Sequence, residues 1–348
     1  MFKPNIHPWN QVIWQNLTLE PERSNHALLF HGNQGLGKRS LAAALGHFVI
    51  TKDHDQSAKL FDAGSHPDLH VLMPEILIDE LKQEQGGEHQ TLSEYGARYI
   101  EPHSGKPRKT ITIDQVRKLS AALTTHPHIS QHRVIIIFAA QTMNRNAANA
   151  LLKSLEEPPA NTLFLIVSDE VSLLPKTIRS RCSLVSFTAP DRATALTWLE
   201  QQGSMPADEC NTYLSVANNH PLQAIALYQG GYLGDLKAVL TDVNHLWMRR
   251  VEITGVAKKW QTIGASTSVD ILQKLATDLL RFQLSEQPHA VFFPVQRPWV
   301  QTSSKKVSRP ALLELIEELN NAKRLLSTTV DPLLVLETVA KRTFSLPI

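Results

Sequence analysis

The chemistry most open to reading in this chain lies in His31-Gly32-Asn33-Gln34-Gly35-Leu36-Gly37-Lys38. Gly32, Gly37 and Lys38 have the spacing of a phosphate-binding loop, G-x-x-x-x-G-K, and Gly35 adds a third residue without a side chain. In such a loop the glycines let backbone N–H groups turn onto phosphate oxygens. A helix N-terminus adds its dipole, and the lysine reaches the β- and γ-phosphates. Hydrolysis needs more than that cradle: a hydroxyl directly after the lysine and acids at the end of a neighbouring strand, which hold Mg²⁺ and orient the attacking water. Here Arg39 follows the lysine, and the apolar run Val134–Ile137 leads into Phe138 and Ala139. Ser40 does not replace the missing hydroxyl, because one residue further along a helix points about 100° away. Without the metal, charge on the phosphate oxygens goes unneutralised and in-line attack loses its electrostatic support. The residues predict a nucleotide-type loop that performs no hydrolysis, with Gly32, Gly35, Gly37 and Lys38 as its binding remnant. Whether ATP still binds there stays open, beside the alternative of a glycine turn that caps a helix and holds no ligand.

Other chemistry-bearing residues give weaker signals. Fifteen histidines raise the question of a metal, above all His126, His128 and His132, but no cysteine or carboxylate is interleaved. That stretch reads as a polar loop entering a strand, and no metal site is expected. Cys182 and Cys210 are too few for a disulfide framework or a four-cysteine zinc site and read as reduced thiols. The net charge is +2, unevenly placed, since residues 248–348 carry 14 Lys/Arg against 9 Asp/Glu. Lys258-Lys259-Trp260 and Lys305-Lys306 are the best candidates for a polyanion contact, although so modest an excess fits a solvated helical surface equally well. At 348 residues, 42% hydrophobic and 20% charged, the composition is that of an ordinary globular chain of two or three domains. The first residues contain no continuous apolar stretch of the signal-peptide kind and nothing reads as a membrane span, so the expected location is the cytoplasm.

A phosphate loop needs a strand before it and a helix after it, and the chain supplies both. Strand patterns cover residues 26–31, 68–73, 133–138, 162–168 and 183–187, with helical patterns over 38–50, 114–123 and 144–157, the last stopped by Pro158-Pro159. Alternation of this kind predicts an α/β domain with a parallel sheet covered by helices. Between Pro74 and Thr110 the pattern breaks into a polar stretch, which reads as a surface excursion or a partly disordered insertion. After Phe187 strands disappear. Short helices are expected over 191–201, 207–217 and 221–228, and a longer helical region from about Leu233, interrupted by a Pro- and Ser-containing gap over 285–310. The predicted layout is an αβ domain over 1–188, a small helical lid over 189–232 and a C-terminal helical domain over 233–348.

Two segments carry a family resemblance: residues 146–169, NAANALLKSLEEPPANTLFLIVSD, and residues 173–182, LLPKTIRSRC, supported by HALLFHGNQGLGK and AGSHPDLHVL. With them the chain resembles the clamp-loader subunits of the AAA+ superfamily from its start to about residue 230. The C-terminal third agrees in length and helical character. The resemblance implies an AAA+ P-loop type sheet domain, a helical lid and an all-α collar that assembles a ring. It also implies partners: motor (gamma/tau) subunits in three copies and a delta subunit, and, through the assembled loader, the sliding clamp and primer-template DNA during DNA replication by DNA polymerase III. Some subunits of this family hydrolyse ATP and some do not. Arg39, Phe138, Ala139 and His220-Pro221-Leu222, the last where a motor subunit has a sensor arginine, align this chain with the second kind. The alternative, an active motor ATPase, rests on Gly32, Gly37 and Lys38 alone, and a free-standing nucleic-acid-binding protein rests on the basic C-terminal residues. Thr51–Ala63 lacks the cysteines of the zinc module that these proteins often carry, so no zinc is expected. Ser180-Arg181-Cys182 matches the family's SRC motif, whose arginine reaches the γ-phosphate of ATP held by a neighbouring motor subunit.

Overall fold

The structure, a computed structural model, describes residues 5–19, 26–52, 55–83, 87–285, 288, 290–328 and 330–346. The chain separates into two compact units, Met1–Ala189 and Pro190–Ile348.

In the first unit, strands β1 (Ala27–His31), β2 (Leu69–Leu72), β3 (Arg133–Ile137), β4 (Thr162–Ser168) and β5 (Ser183–Ser186) form a parallel sheet in the order β2-β3-β4-β1-β5. Leu29 faces Ile166 on one side and Leu184 on the other. The strands read as near-continuous apolar runs because a parallel sheet carries helices on both faces. Leu28, Phe30, Val134, Ile136 and Leu165 point to one core with α2 (Lys38–Thr51), while Leu29, Ile135, Ile137 and Ile166 point to the other with α6 (Ile113–Ala122) and α7 (Arg145–Glu156). Helix α6 starts at a capping box in which Thr112 and Gln115 satisfy each other's backbone N–H, and Asn144 caps α7 by accepting from the Ala147 N–H at 2.8 Å.

The stretch 74–110 departs from the surface excursion expected of it. After α1 (Gln11–Leu19), α2 and α3 (Asp55–Asp62), it forms α4 (Glu75–Gln83) and α5 (Gly87–Ala97), whose Leu77, Ile78, Leu81, Leu92 and Tyr95 are buried in the first core. Helical spacing of these apolar residues decides the outcome, although polar neighbours outnumber them and mask the pattern. Residues 84–86 of that expected insertion lie outside the described ones. From Glu101 to Thr110 the chain is exposed, and the buried carboxylate of Glu75 ties it down by accepting from the Arg108 N–H at 3.1 Å and lying 2.6 Å from His103 Nε2. Those contacts hold the Glu75 carboxyl below its ordinary range against the opposing effect of burial.

In the second unit α9 (Arg192–Gln202), α10 (Ala207–Val216) and α11 (Pro221–Gln229), expected as a lid, precede α12 (Tyr232–Trp247), α13 (Ile253–Ile263), α14 (Ala265–Leu284), α15 (Arg297–Ser304), α16 (Arg309–Leu326) and α17 (Pro332–Phe344). The expected gap over 285–310 contains α15, started by Pro298 in its first turn, and residues 286, 287 and 289 of it lie outside the described ones. The buried Asp278 of α14 fixes the connection by accepting from the backbone N–H groups of Phe292 and Phe293.

Candidate functional site

Strand β1 delivers the glycine loop 32–37 at its carboxyl end, where a parallel sheet opens toward ligands. Gly32, Gly35 and Gly37 have φ values of 143°, 81° and 82°, a region that favours glycine. The chain itself also demands two of them. A Cβ on Gly32 would lie 2.4 Å from the Phe187 carbonyl oxygen, and one on Gly37 would lie 2.4 Å from Cδ2 of the His7 ring. A single helical turn, Pro8–Asn10, sits against the loop, and Trp9 Nε1 and Asn10 Nδ2 donate to the Leu36 carbonyl at 3.0 and 2.9 Å. The His7 ring stacks on Trp9, and burial pushes its pKa down to about 4, so it is neutral at pH 7.

Lys38 is buried and its ammonium is engaged. Nζ lies 2.7 Å from Asp169 Oδ1 and donates to the Asn33 carbonyl at 2.5 Å. Burial pushes this ammonium below the ordinary lysine range, with Asp169 opposing. Arg39 is half-buried at the position where a magnesium site has its hydroxyl, Phe138 is buried in the first core, and Ala139 takes a left-handed conformation with φ 51°. Asp169, just after β4, reaches the loop and pairs with Lys38. These residues do not fit a Mg²⁺-nucleotide site competent for hydrolysis.

Ser180, Arg181 and Cys182 form the turn between α8 (Lys176–Arg179) and β5. Arg181 Nη2 lies 2.5 Å from Glu156 Oε1 at the end of α7, and Nη1 donates to the Thr177 carbonyl at 3.0 Å. Arg181 keeps 33% of its side-chain surface exposed. Ser180 Oγ donates to the Thr177 carbonyl, and Cys182 packs against the second core, which pushes its thiol up to about 11 and makes it a poor nucleophile. The turn precedes β5, which pairs in parallel with β1, so Arg181 stands at the amino-terminal edge of the sheet while the glycine loop stands at the carboxyl edge. His26, at the start of β1, meets the Leu155 carbonyl one residue before Glu156, at 3.0 Å, which fixes the same placement from the helix side. A strand's length, roughly 15 Å, separates the arginine from this chain's own loop.

The sequence pointed to the loop and to the turn but missed the groups that fill the loop. Asp169 had a usable signal, since the residue after β4 neighbours the loop after β1 once the strand order is known. His7, Trp9 and Asn10 had none. The histidine-rich segment serves the fold: Asp68 accepts from the backbone N–H groups of His128, Ile129 and Ser130 at 2.6 to 2.8 Å. Among the described residues no cluster of three or more His, Cys, Asp or Glu side chains is arranged to hold a metal, and no helix is long and apolar enough to cross a membrane. In the basic C-terminal stretch Trp260 is buried in the core and Lys259 lies 3.4 Å from Asp242, so that patch offers no exposed aromatic. His220 stands at the N-cap of α11 and Pro221 in its first turn.

Comparison with known proteins adds an independent result. A family described as "DNA polymerase III, delta subunit" matches residues 10–191, and one described as "DNA polymerase III, delta subunit, C terminal" matches residues 232–341. The chain is similar to the DNA polymerase III subunit delta' of Pseudomonas aeruginosa, with 27% identity over 99% of this chain and 98% of that protein. It is also similar to the subunit of that name from Escherichia coli K12, with 30% identity over 64% of this chain and 61% of that protein, and from Haemophilus influenzae, with 27% identity over 82% and 80%.

Proposed function

The chain belongs to the DNA polymerase III delta-subunit family, and from that premise we propose that it serves as the delta-prime subunit of the clamp loader, donating Arg181 to a neighbour's ATP and hydrolysing none itself. The observation that carries this reading is the division of the αβ unit. Its own loop has Lys38 held by Asp169, with Phe138 and Ala139 in place of acids, while Arg181 stands half-exposed at the opposite edge of the sheet. An arginine that far from its own loop is out of reach of a phosphate held there, which supports a role toward another molecule's phosphate. Its planar, permanently charged fork suits phosphoryl oxygens better than a lysine would. In other nucleotide hydrolases such a finger is worth about 10³–10⁵ in rate, because it meets charge that develops in the transition state.

The partners under this reading are the gamma/tau motor subunits and the delta subunit, which together place the sliding clamp on primed DNA. Similarity along nearly the whole length to a delta' subunit supports it. The direct test is turnover by the purified chain. Phosphate release should not exceed background with or without primed DNA, whereas turnover that disappears in Lys38→Ala would overturn the non-hydrolysing assignment. Nucleotide binding without turnover is compatible with it.

A further inference from the structure

We infer that Glu156 is a positioning residue for Arg181: a carboxylate that occupies the guanidinium until a phosphate displaces it. The inference rests on the reading of Arg181 as a finger and goes beyond it by naming what the finger must leave.

The geometry is specific. Arg181 has one terminal nitrogen on Glu156 Oε1 at 2.5 Å and the other on the Thr177 carbonyl at 3.0 Å. The two groups differ in kind. Thr177 belongs to α8, four residues before Arg181, so its carbonyl travels with the turn and orients the side chain locally. Glu156 belongs to α7, which reaches the turn from the other side of the Pro158-Pro159 break, and it carries a full charge. A carboxylate uses the same donors of the fork that a phosphoryl group uses. When Arg181 engages a γ-phosphate, the two anions cannot share Nη2 without repulsion, and the carboxylate has to withdraw. Glu156 is 46% exposed, so it can move into water without a buried-charge penalty, and the pair it gives up is weak.

Glu156 then does two things. In the free subunit it holds the guanidinium in one place at the sheet edge. It also opposes engagement by the strength of one half-exposed ion pair. Removing its charge while keeping its shape should therefore speed the neighbour's hydrolysis, in contrast to a residue that merely supports the fold.

The test uses the complete loader, assembled with its motor and delta subunits, and follows the ATP dependence of its DNA- and clamp-stimulated ATPase. Glu156→Gln should raise kcat/KM at the site beside this subunit about two- to fivefold, the range an exposed Arg–carboxylate pair supports. Glu156→Asp, with the charge kept on a shorter stem, should fall between wild type and Glu156→Gln. The double variant Glu156→Gln/Arg181→Ala should match Arg181→Ala alone, because Glu156 acts through the arginine. An unchanged or lower kcat/KM in Glu156→Gln, while Arg181→Ala is impaired, overturns the role of Glu156 and leaves the finger standing. An effect of Glu156→Gln that persists in the Arg181→Ala background overturns it too, by locating the effect in α7. If Arg181→Ala itself changes nothing, the finger reading falls and this inference falls with it.

Discussion

Lys38 and Arg181 are both cations paired with carboxylates, yet burial gives the two pairs opposite consequences. Lys38 is 3% exposed and Asp169 37%, so the costly member is the ammonium, and Asp169 is what makes its burial tolerable. Removing the carboxylate should therefore hurt more than removing the charge it serves. Asp169→Ala should destabilise the protein by about 2 kcal/mol, since it leaves a buried ammonium with a carbonyl alone, whereas Lys38→Met should stay within about 1 kcal/mol of wild type. Urea unfolding of both variants checks the order, and a larger loss for Lys38→Met would show that the loop lysine is there for stability. The Arg181 pair is half-exposed, screened and weak, which suits a side chain that has to change partners.

At the scale of elements, the sheet was legible because strands buried on both faces leave apolar runs that few other structures need. All five strands lie within one residue, at each end, of the ranges read from the sequence. Helix α7 was legible for another reason: an Asn cap at its start and a proline pair at its end bracket an amphipathic run. Asn144→Ala should cost about 1 kcal/mol by leaving the Ala147 N–H without its acceptor, a loss readable in thermal unfolding. A variant as stable as wild type would mean that water replaces the cap. Helices α4 and α5 were illegible because their core contribution comes from a few apolar residues set among polar ones, and composition outweighed spacing. The loop's glycines were legible as a motif but not in their reason. Their spacing signalled phosphate, whereas Gly32 and Gly37 are also required by the Phe187 carbonyl and the His7 ring. The position of Arg181 opposite the loop depends on the parallel pairing of β5 with β1, which the predicted parallel sheet already implied.

For the whole molecule, buried histidines of the αβ unit make it sensitive to acid. Burial lowers His7 and His70 to about 4 and also lowers His47 and His66. A histidine with a depressed folded pKa takes up its proton first in the unfolded chain. Stability is therefore complete above the unfolded value of about 6.5 and is lost as pH falls from there toward 4. The unfolding temperature should drop steadily between pH 7 and pH 4.5, and a flat profile over that range would contradict the buried neutral state of these rings. The C-terminal helical domain, 233–348, should remain helical alone and carry assembly, the collar role that the family resemblance implies for it. Retention of full assembly by a fragment of the αβ domain and lid, ending at residue 232, would contradict that. The central claim is that this chain serves hydrolysis from outside the site where it happens, and one measurement bears on it most directly: the DNA- and clamp-stimulated ATPase of loaders shown to be fully assembled, with wild-type or Arg181→Ala subunit. The variant should fold and assemble normally while turnover at the adjacent site falls by about 10²-fold or more, partly masked in the total rate by the other sites, with little rescue by Arg181→Lys and a smaller effect of Arg179→Ala. Equal rates for wild type and Arg181→Ala would return Arg181 to an ordinary surface ion pair and remove the chemical role assigned to this chain.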